Sequence, residues 1–315
     1  MTELKDNNER LEGIKEIIGD ENLKVIDEND TFGFKCQQCG KCCMNRDDII
    51  LNPFDVYNAA KYLNISPKEF VTDYTHCSFG SNSKMPILLL KTSSNGFCPL
   101  LKYDILDGGV FKCLIQEAKP GACSNHPIGI VWNINSKTKE KNISYIKTTQ
   151  CENSVSDEMH VVKDWVKSYT DNIDNIDLAH KIQFRVHEHF DPAEFHFAAS
   201  FANYLIKSNM MGKCPEDMSE IFYNSKNELD ILQGYLMTAI GLIYTNFDID
   251  KSFTEQKDDI LKTLDEFYEQ TNKLFKTLKN IVEEISGKEL KEIMKKYDEF
   301  KESVDNVIDE CISNI

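Results

Sequence analysis

The chain has 315 residues, 41% of them hydrophobic, and a formal charge of −16 at pH 7. That length buries a sizeable core without metal or disulfide staples, and no apolar run approaches the roughly 20 residues that a membrane-spanning helix needs. The surplus of carboxylates repels phosphate backbones and anionic membrane surfaces. Neither a membrane-spanning nor a nucleic-acid-binding role is expected.

The opening segment, MTELKDNNERLEGIKEIIGDENLK, is charged throughout and lacks the basic-then-apolar order of a secretory signal, so the chain is expected to stay in the reducing cytoplasm. Thiols are kept reduced there, and clustered ones ligate metal or do redox chemistry more often than they form disulfides. All of the 11 cysteines except Cys214 and Cys311 fall before residue 152. The same half carries the punctuation of an irregular fold, with Gly108-Gly109, Pro120-Gly121, Pro127 and the run SFGSNSKMP at 78–86.

Within it, Asn52-Pro53-Phe54-Asp55 predicts a helix through Tyr62, because Asn caps well and Pro suits the first turn. Ser66-Pro67-Lys68-Glu69 has capping-box spacing and predicts a second helix beginning before Phe70. Apolar and β-branched residues grouped between turn signals predict short strands at Ile87–Leu90, Phe111–Leu114 and Ile128–Trp132.

Near residue 157 the character changes: glycine becomes sparse, proline nearly vanishes and apolar residues recur at helical spacing. Asp191-Pro192 reads as a helix start and Lys213-Cys214-Pro215 as a helix end. In the tail, Ile260, Leu264, Phe267, Leu274, Leu278, Ile281 and Ile285 form one stripe. Leu290, Ile293, Tyr297, Phe300, Val304, Val307 and Cys311 form a second after Ser286-Gly287. Two antiparallel helices joined by a short turn are expected, packed within their own chain.

The expected fold is therefore α+β, mostly α. An irregular cysteine-rich metal-binding domain spans residues 1–156, with its core at about 34–152, and an all-helical domain spans 157–315 and ends in the helical hairpin.

The chemistry concentrates at Cys36-x-x-Cys39-x-x-Cys42-Cys43. Two-residue gaps let successive thiolates converge on one ion or cluster, and Gly40 permits a sharp backbone path between them. Isolated buried thiols can act as small hydrophobes, but four within eight residues point to ligation. Ferredoxin-type clusters use this spacing with a remote cysteine followed by proline, and Cys98-Pro99 supplies that pair, which favours [4Fe–4S]. Four thiolates suit zinc equally well, so iron–sulfur and zinc both stay open. The further cysteines Cys77, Cys113, Cys123 and Cys151 allow a second site or a multinuclear one, and the sequence does not assign them. Adjacent side chains usually diverge, so Cys42 is favoured as a ligand over Cys43.

Other candidates are weaker. His180, His187, His189 and His196 do not align on one helix face and read as surface or interface groups. His76 and His126 lie among the cysteines, where either can ligate a metal or hydrogen-bond a sulfur. No glycine-rich nucleotide loop and no nucleophile elbow occurs.

The residues that carry the cysteines resemble a known family. The block Cys36–Cys43, then Cys98-Pro99-Leu100-Leu101, Cys113-Leu114-Ile115, Lys119-Pro120-Gly121-Ala122-Cys123-Ser124-Asn125-His126-Pro127 and finally Cys151, is similar to the YkgJ-type CxxCxxCC cysteine-cluster family, described as zinc- or iron-chelating. The resemblance covers roughly residues 34–152 and implies Cys36, Cys39, Cys42, Cys43, Cys98, Cys113, Cys123 and Cys151 as metal ligands. Where that family commonly has Arg-Pro before the later cysteine and Arg after it, this chain has Lys119-Pro120 and Ser124. The layout, cysteine domain first and helical region after, also resembles flagellin lysine-N-methylase relatives. It implies methyl transfer from S-adenosylmethionine to a protein lysine, with a protein such as flagellin as partner. The alternative from a different class is a non-catalytic protein-interaction module stapled by zinc or iron.

Overall fold

The computed structural model describes residues 23–79, 86–106, 108–134, 141–148, 156–189 and 240–284, with the single helical positions 291, 295 and 298. In chain order the strands are β1 (Leu23–Ile26), β2 (Thr31–Gly33), β3 (Ile50–Leu51), β4 (Thr75–Phe79), β5 (Pro86–Leu90), β6 (Leu101–Asp104), β7 (Val110–Cys113), β8 (Ile128–Ile134), β9 (Lys141–Thr148) and β10 (Met159–Val161). The helices are α1 (Pro53–Leu63), α2 (Pro67–Tyr74), the short turns α3 (Gly121–Ser124), α4 (Val162–Trp165) and α5 (Lys167–Thr170), then α6 (Ile173–His189) and α7 (Lys257–Glu284). Residues 240–244 form one further helical turn.

The strands make four small antiparallel sheets in the orders β1-β9-β8, β10-β2, β3-β5-β4 and β6-β7. This corrects the expectation of a mostly helical chain, because the described residues are 45% helix and 23% strand, a mixed α/β composition. The reason lies in the short strands. Sequences such as LKVI in β1, TFG in β2 and MHV in β10 are too brief to show a period. Each is extended because a distant partner supplies its ladder, as when β1 pairs with β9 from Leu23 opposite Thr148 to Ile26 opposite Tyr145.

Local signals set the boundaries where they are strong. Asn52 accepts from the Asp55 N–H at 2.9 Å while the Asp55 carboxylate accepts from the Asn52 N–H at 3.0 Å, a reciprocal cap that starts α1 at Pro53. Asn64, in the left-handed region, ends it. Ser66 accepts from the Glu69 N–H at 3.1 Å and starts α2. The strands expected at 87–90, 111–114 and 128–132 appear as β5, β7 and β8.

One core cluster draws on both sides of residue 157. Leu51, Val56, Ala60, Phe70, Leu88, Leu100 and Ile115 pack with Leu178, Ile182, Tyr244, Phe253, Ile260 and Leu264. The Phe253 ring sits 5.4 Å from Phe54, 5.2 Å from Tyr57 and 5.1 Å from Phe247, so α1 is seated on the segment that leads into α7. Ile260 and Leu264 of the expected tail stripe are buried in α7. The second tail stripe, Asp191-Pro192 and Lys213-Cys214-Pro215 fall outside the described residues. A smaller cluster of Ile26, Phe32, Phe34, Ile128, Tyr145, Val162 and Val166 joins β1, β2, β8 and β9 to α4. No helix among the described residues is long and apolar enough to cross a membrane.

Asp55 connects these parts. Besides closing its own helix, its buried carboxylate accepts from the Gly121 N–H at 3.1 Å, which fixes the start of α3 against α1. Burial pushes this carboxyl up to about 6, with the Asn52 and Gly121 N–H groups pulling it back. Asp55→Ala leaves both N–H groups without their acceptor and is expected to cost about 2–6 kcal/mol, since each orphaned buried donor costs about 1–3. Asn52→Ala removes one cap and should cost about 1 kcal/mol. Urea denaturation of both variants checks this, and equal losses would show that the Gly121 bond adds nothing.

Candidate metal centre

The sulfur-bearing segments are brought together by backbone bonds. Gly40 adopts φ 74, and the position where its Cβ would stand is 3.0 Å from the Phe111 ring, so only glycine fits there. From it the chain enters a 3-10 turn, Lys41–Cys43, closed by the Cys43 N–H donating to the Gly40 carbonyl at 2.9 Å. The Cys43 carbonyl accepts from the Cys98 N–H at 2.9 Å, and Asn45 donates to Gly96 at 2.6 Å, which lays residues 43–45 along 96–98. Cys98 in turn accepts from Leu101 at the head of β6, and Cys113 ends β7 opposite Leu101.

Cys123 sits in α3, held by its N–H donating to the Pro120 carbonyl at 2.8 Å. Gly121 allows this turn to lie flat, because a Cβ there would stand 2.3 Å from the Tyr169 ring.

Cys42, Cys43, Cys98, Cys113 and Cys123 consequently line one cavity of ≈ 50 Å³, with Arg46, Lys119 and His126 on its wall and the core residues Leu90, Leu100 and Ile115 closing it. The Cys42 and Cys43 sulfurs are 3.9 Å apart. The expectation that these neighbours diverge does not hold, because the tight 3-10 turn presents both to the same cavity.

The electrostatics follow from this crowding. Cys42 is lowered to about 6, first because the Cys43 thiol donates to it, and then through Lys119 and Arg46 working against its burial. Cys43 is pushed up strongly as the donor of that bond, by burial, and by repulsion from Cys42, Cys123 and Cys98. Burial, with the neighbouring sulfurs, pushes Cys123 up to about 12 and raises Cys98 and Cys113. His126 is lowered by burial and then by Arg46 and Lys119, and its Nε2 is a buried atom with no partner. Arg46 donates through Nη2 to Asp48 at 3.0 Å and through Nη1 to the Cys42 carbonyl at 3.5 Å.

The other expected ligands are placed apart from the cavity. Cys36 and Cys39 are exposed on the segment between Phe34 and Gly40 and do not line it. Cys77 lies in β4 and packs against the core, with its thiol raised by burial. Cys151, Cys214, Cys311 and His196 fall outside the described residues, as do the side chains of His187 and His189. His180 is half-buried in α6, and His76 is exposed in β4.

Sequence reading missed Arg46, whose only signal is its place three residues after Cys43, and Asp55, which it saw solely as part of a helix cap. A larger cleft of ≈ 360 Å³ around Asn246, Asp248, Lys251 and Asp259 holds no cysteine and sits on the α7 side of the molecule.

Five thiols, a histidine nitrogen without a partner and two nearby cations form a donor set suited to a thiophilic metal, whose charge offsets the thiolates that burial otherwise keeps protonated. Among the described residues, no group of three or more His, Cys, Asp or Glu side chains is placed so that it could hold a metal ion. A metal held here would need cysteine side chains to adopt other rotamers within the cavity. No family model, curated protein or solved structure matches the chain.

In metal-free protein, alkylation of Cys42 by iodoacetamide should rise with pH through a midpoint near 6, while Cys98 and Cys113 need more alkaline solution. Lys119→Met should move the Cys42 midpoint upward, and Cys43→Ala should move it further, because the thiol donor is the larger cause. Peptide mapping after timed alkylation gives the profiles. A Cys42 profile that overlays that of Cys98 would refute the assignment.

Proposed function

We propose that this protein binds a metal through thiolates drawn from Cys42, Cys43, Cys98, Cys113 and Cys123, and that the centre staples the segments carrying them. The observation that carries the reading is the convergence of five cysteines, from four separate segments of the chain, on one cavity. Sulfurs around a tetrahedral ion with metal–sulfur bonds of about 2.3 Å stand roughly 3.8 Å apart. The 3.9 Å between Cys42 and Cys43 is that of two ligands sharing one ion. Both zinc and iron accept such a pair.

The size of the cavity favours a staple over a reaction chamber. Its ≈ 50 Å³, lined by the sulfurs and by core side chains, is on the scale of an ion and well below the roughly 300 Å³ of a usual ligand pocket. His126, with its unpartnered Nε2, would donate to a ligating sulfur or take a ligand position itself. When bound, the metal would supply the positive charge that lets several crowded thiols ionise together.

Elemental analysis of anaerobically purified protein tests the proposal. Zinc gives a colourless protein, and an iron–sulfur cluster gives a brown one that bleaches on reduction. Among single changes of Cys43, Cys98, Cys113 and Cys123 to Ser, those that remove one of the four ligands the ion takes should weaken metal binding by more than the about 10–100-fold that follows loss of an outer-shell contact. Cys77→Ser, outside the cavity, should leave metal content unchanged. Full retention of metal in all four cavity variants would refute the reading.

A further inference from the structure

The described cysteines of and around the cavity fall into three grades of accessibility. Cys36 and Cys39 are exposed and outside the cavity, Cys42 is exposed yet lines it, and Cys43, Cys98, Cys113 and Cys123 are half-buried within it. The outer pair rides on a short exposed run, residues 35–39, held at both ends. At one end Phe34 is buried, packs its ring 5.5 Å from Trp165 and donates its N–H to the Glu158 carbonyl at 3.0 Å. At the other, Gln38 accepts from the Phe111 N–H at 3.0 Å and Gly40 is wedged under the Phe111 ring. The Phe34 ring also lies 5.9 Å from that of His126 on the cavity wall, so the run that carries the two solvent-exposed thiols is anchored beside the cavity without lining it.

We propose that Cys36 and Cys39 are an entry dithiol, which takes a thiophilic divalent ion from an external thiolate carrier and passes it to Cys42 and Cys43. The inference rests on the reading of the cavity as a metal centre. Two residues, Gly40 and Lys41, separate Cys39 from Cys42, a span of at most about 10 Å even when fully extended, so the hand-over needs no unfolding. The cavity already offers five thiols where a tetrahedral ion takes four, so the outer pair is not needed to complete the resting centre.

The transfer is ligand exchange without redox change. Bonds from the ion to Cys36 and Cys39 form as the carrier thiolates leave, and those bonds then break as bonds to Cys42 and Cys43 form. On binding, Cys36 and Cys39 give their protons to the leaving carrier thiolates; on hand-over the Cys43 proton passes to solvent, Cys36 and Cys39 take protons from solvent, and the ion keeps its oxidation state throughout.

The test uses the full chain and its Cys36→Ser/Cys39→Ser variant, each given Zn2+ as its glutathione complex and, in a second anaerobic arm, Fe2+ in the same form. The variant is expected to reach the same final metal content as the wild type at a rate at least ten-fold lower. In metal-loaded wild-type protein, iodoacetamide should still modify Cys36 and Cys39 while Cys43, Cys98, Cys113 and Cys123 are protected. A lower final metal content in the variant, or protection of Cys36 and Cys39 in the loaded wild type, would make them permanent ligands and overturn the proposal. An unchanged loading rate overturns it as well. A wild type that takes neither ion fails earlier, at the cavity reading itself, and its own metal content shows that.

Discussion

The Asp55 carboxylate accepts from two backbone N–H groups that lie 69 residues apart in the chain, Asn52 and Gly121, and the arrangement of the sulfur cavity depends on it. One bond completes the cap of α1, and α1 carries much of the core. The other holds α3 against that helix and so fixes Cys123 two residues later. A buried carboxylate is costly in an apolar setting, and the two donors offset part of that cost. The result is that the helix framework and the cysteine loops are positioned by the same group.

Around that junction the site is assembled mainly by backbone rather than side-chain contacts. Carbonyl and N–H groups of Gly40, Cys43, Gly96, Cys98, Leu101 and Pro120 tie the cysteine-bearing turns to each other. The five cavity thiols interact with one another, with Lys119 and Arg46 and, at Cys98 and Cys113, with the backbone of Leu100, Leu101 and Ile115, while burial and mutual repulsion raise all but Cys42. Such thiols give up their protons only where a cation's charge replaces them, so a soft cation bound here as proposed would release protons and bind more weakly as the pH falls.

How much of this was legible in the sequence depends on the range of the interaction concerned. The caps at Asn52 and Ser66 are written in three or four adjacent residues, and both helices begin where those residues place them. The apolar groups behind β5, β7 and β8 were equally local. The β1, β2 and β10 strands were not legible, since their extension comes from partners more than a hundred residues away, as in the pairing of Phe32 with His160. This is why the chain read as more helical than it is. Within the site, the cysteine spacing announced a thiol cluster. It could not announce that Cys36 and Cys39 stay outside while adjacent Cys42 and Cys43 turn inward together, because that division follows from the 3-10 turn and from Gly40 fitting under Phe111.

The cavity shares its wall with the core. Leu90, Leu100 and Ile115 face the sulfurs on one side and belong on the other to the cluster that includes Ile182, Tyr244 and Leu264. Any ligand that binds the folded arrangement more tightly than a loosened one draws the equilibrium toward the folded arrangement, and the coupling runs equally in both directions. For a metal bound as proposed, the packing of α6 and α7 would thus bear on the affinity of the sulfur site, although neither helix contributes a described residue to its lining. A change deep among those helices that loosens the shared wall would register first as a metal more easily lost.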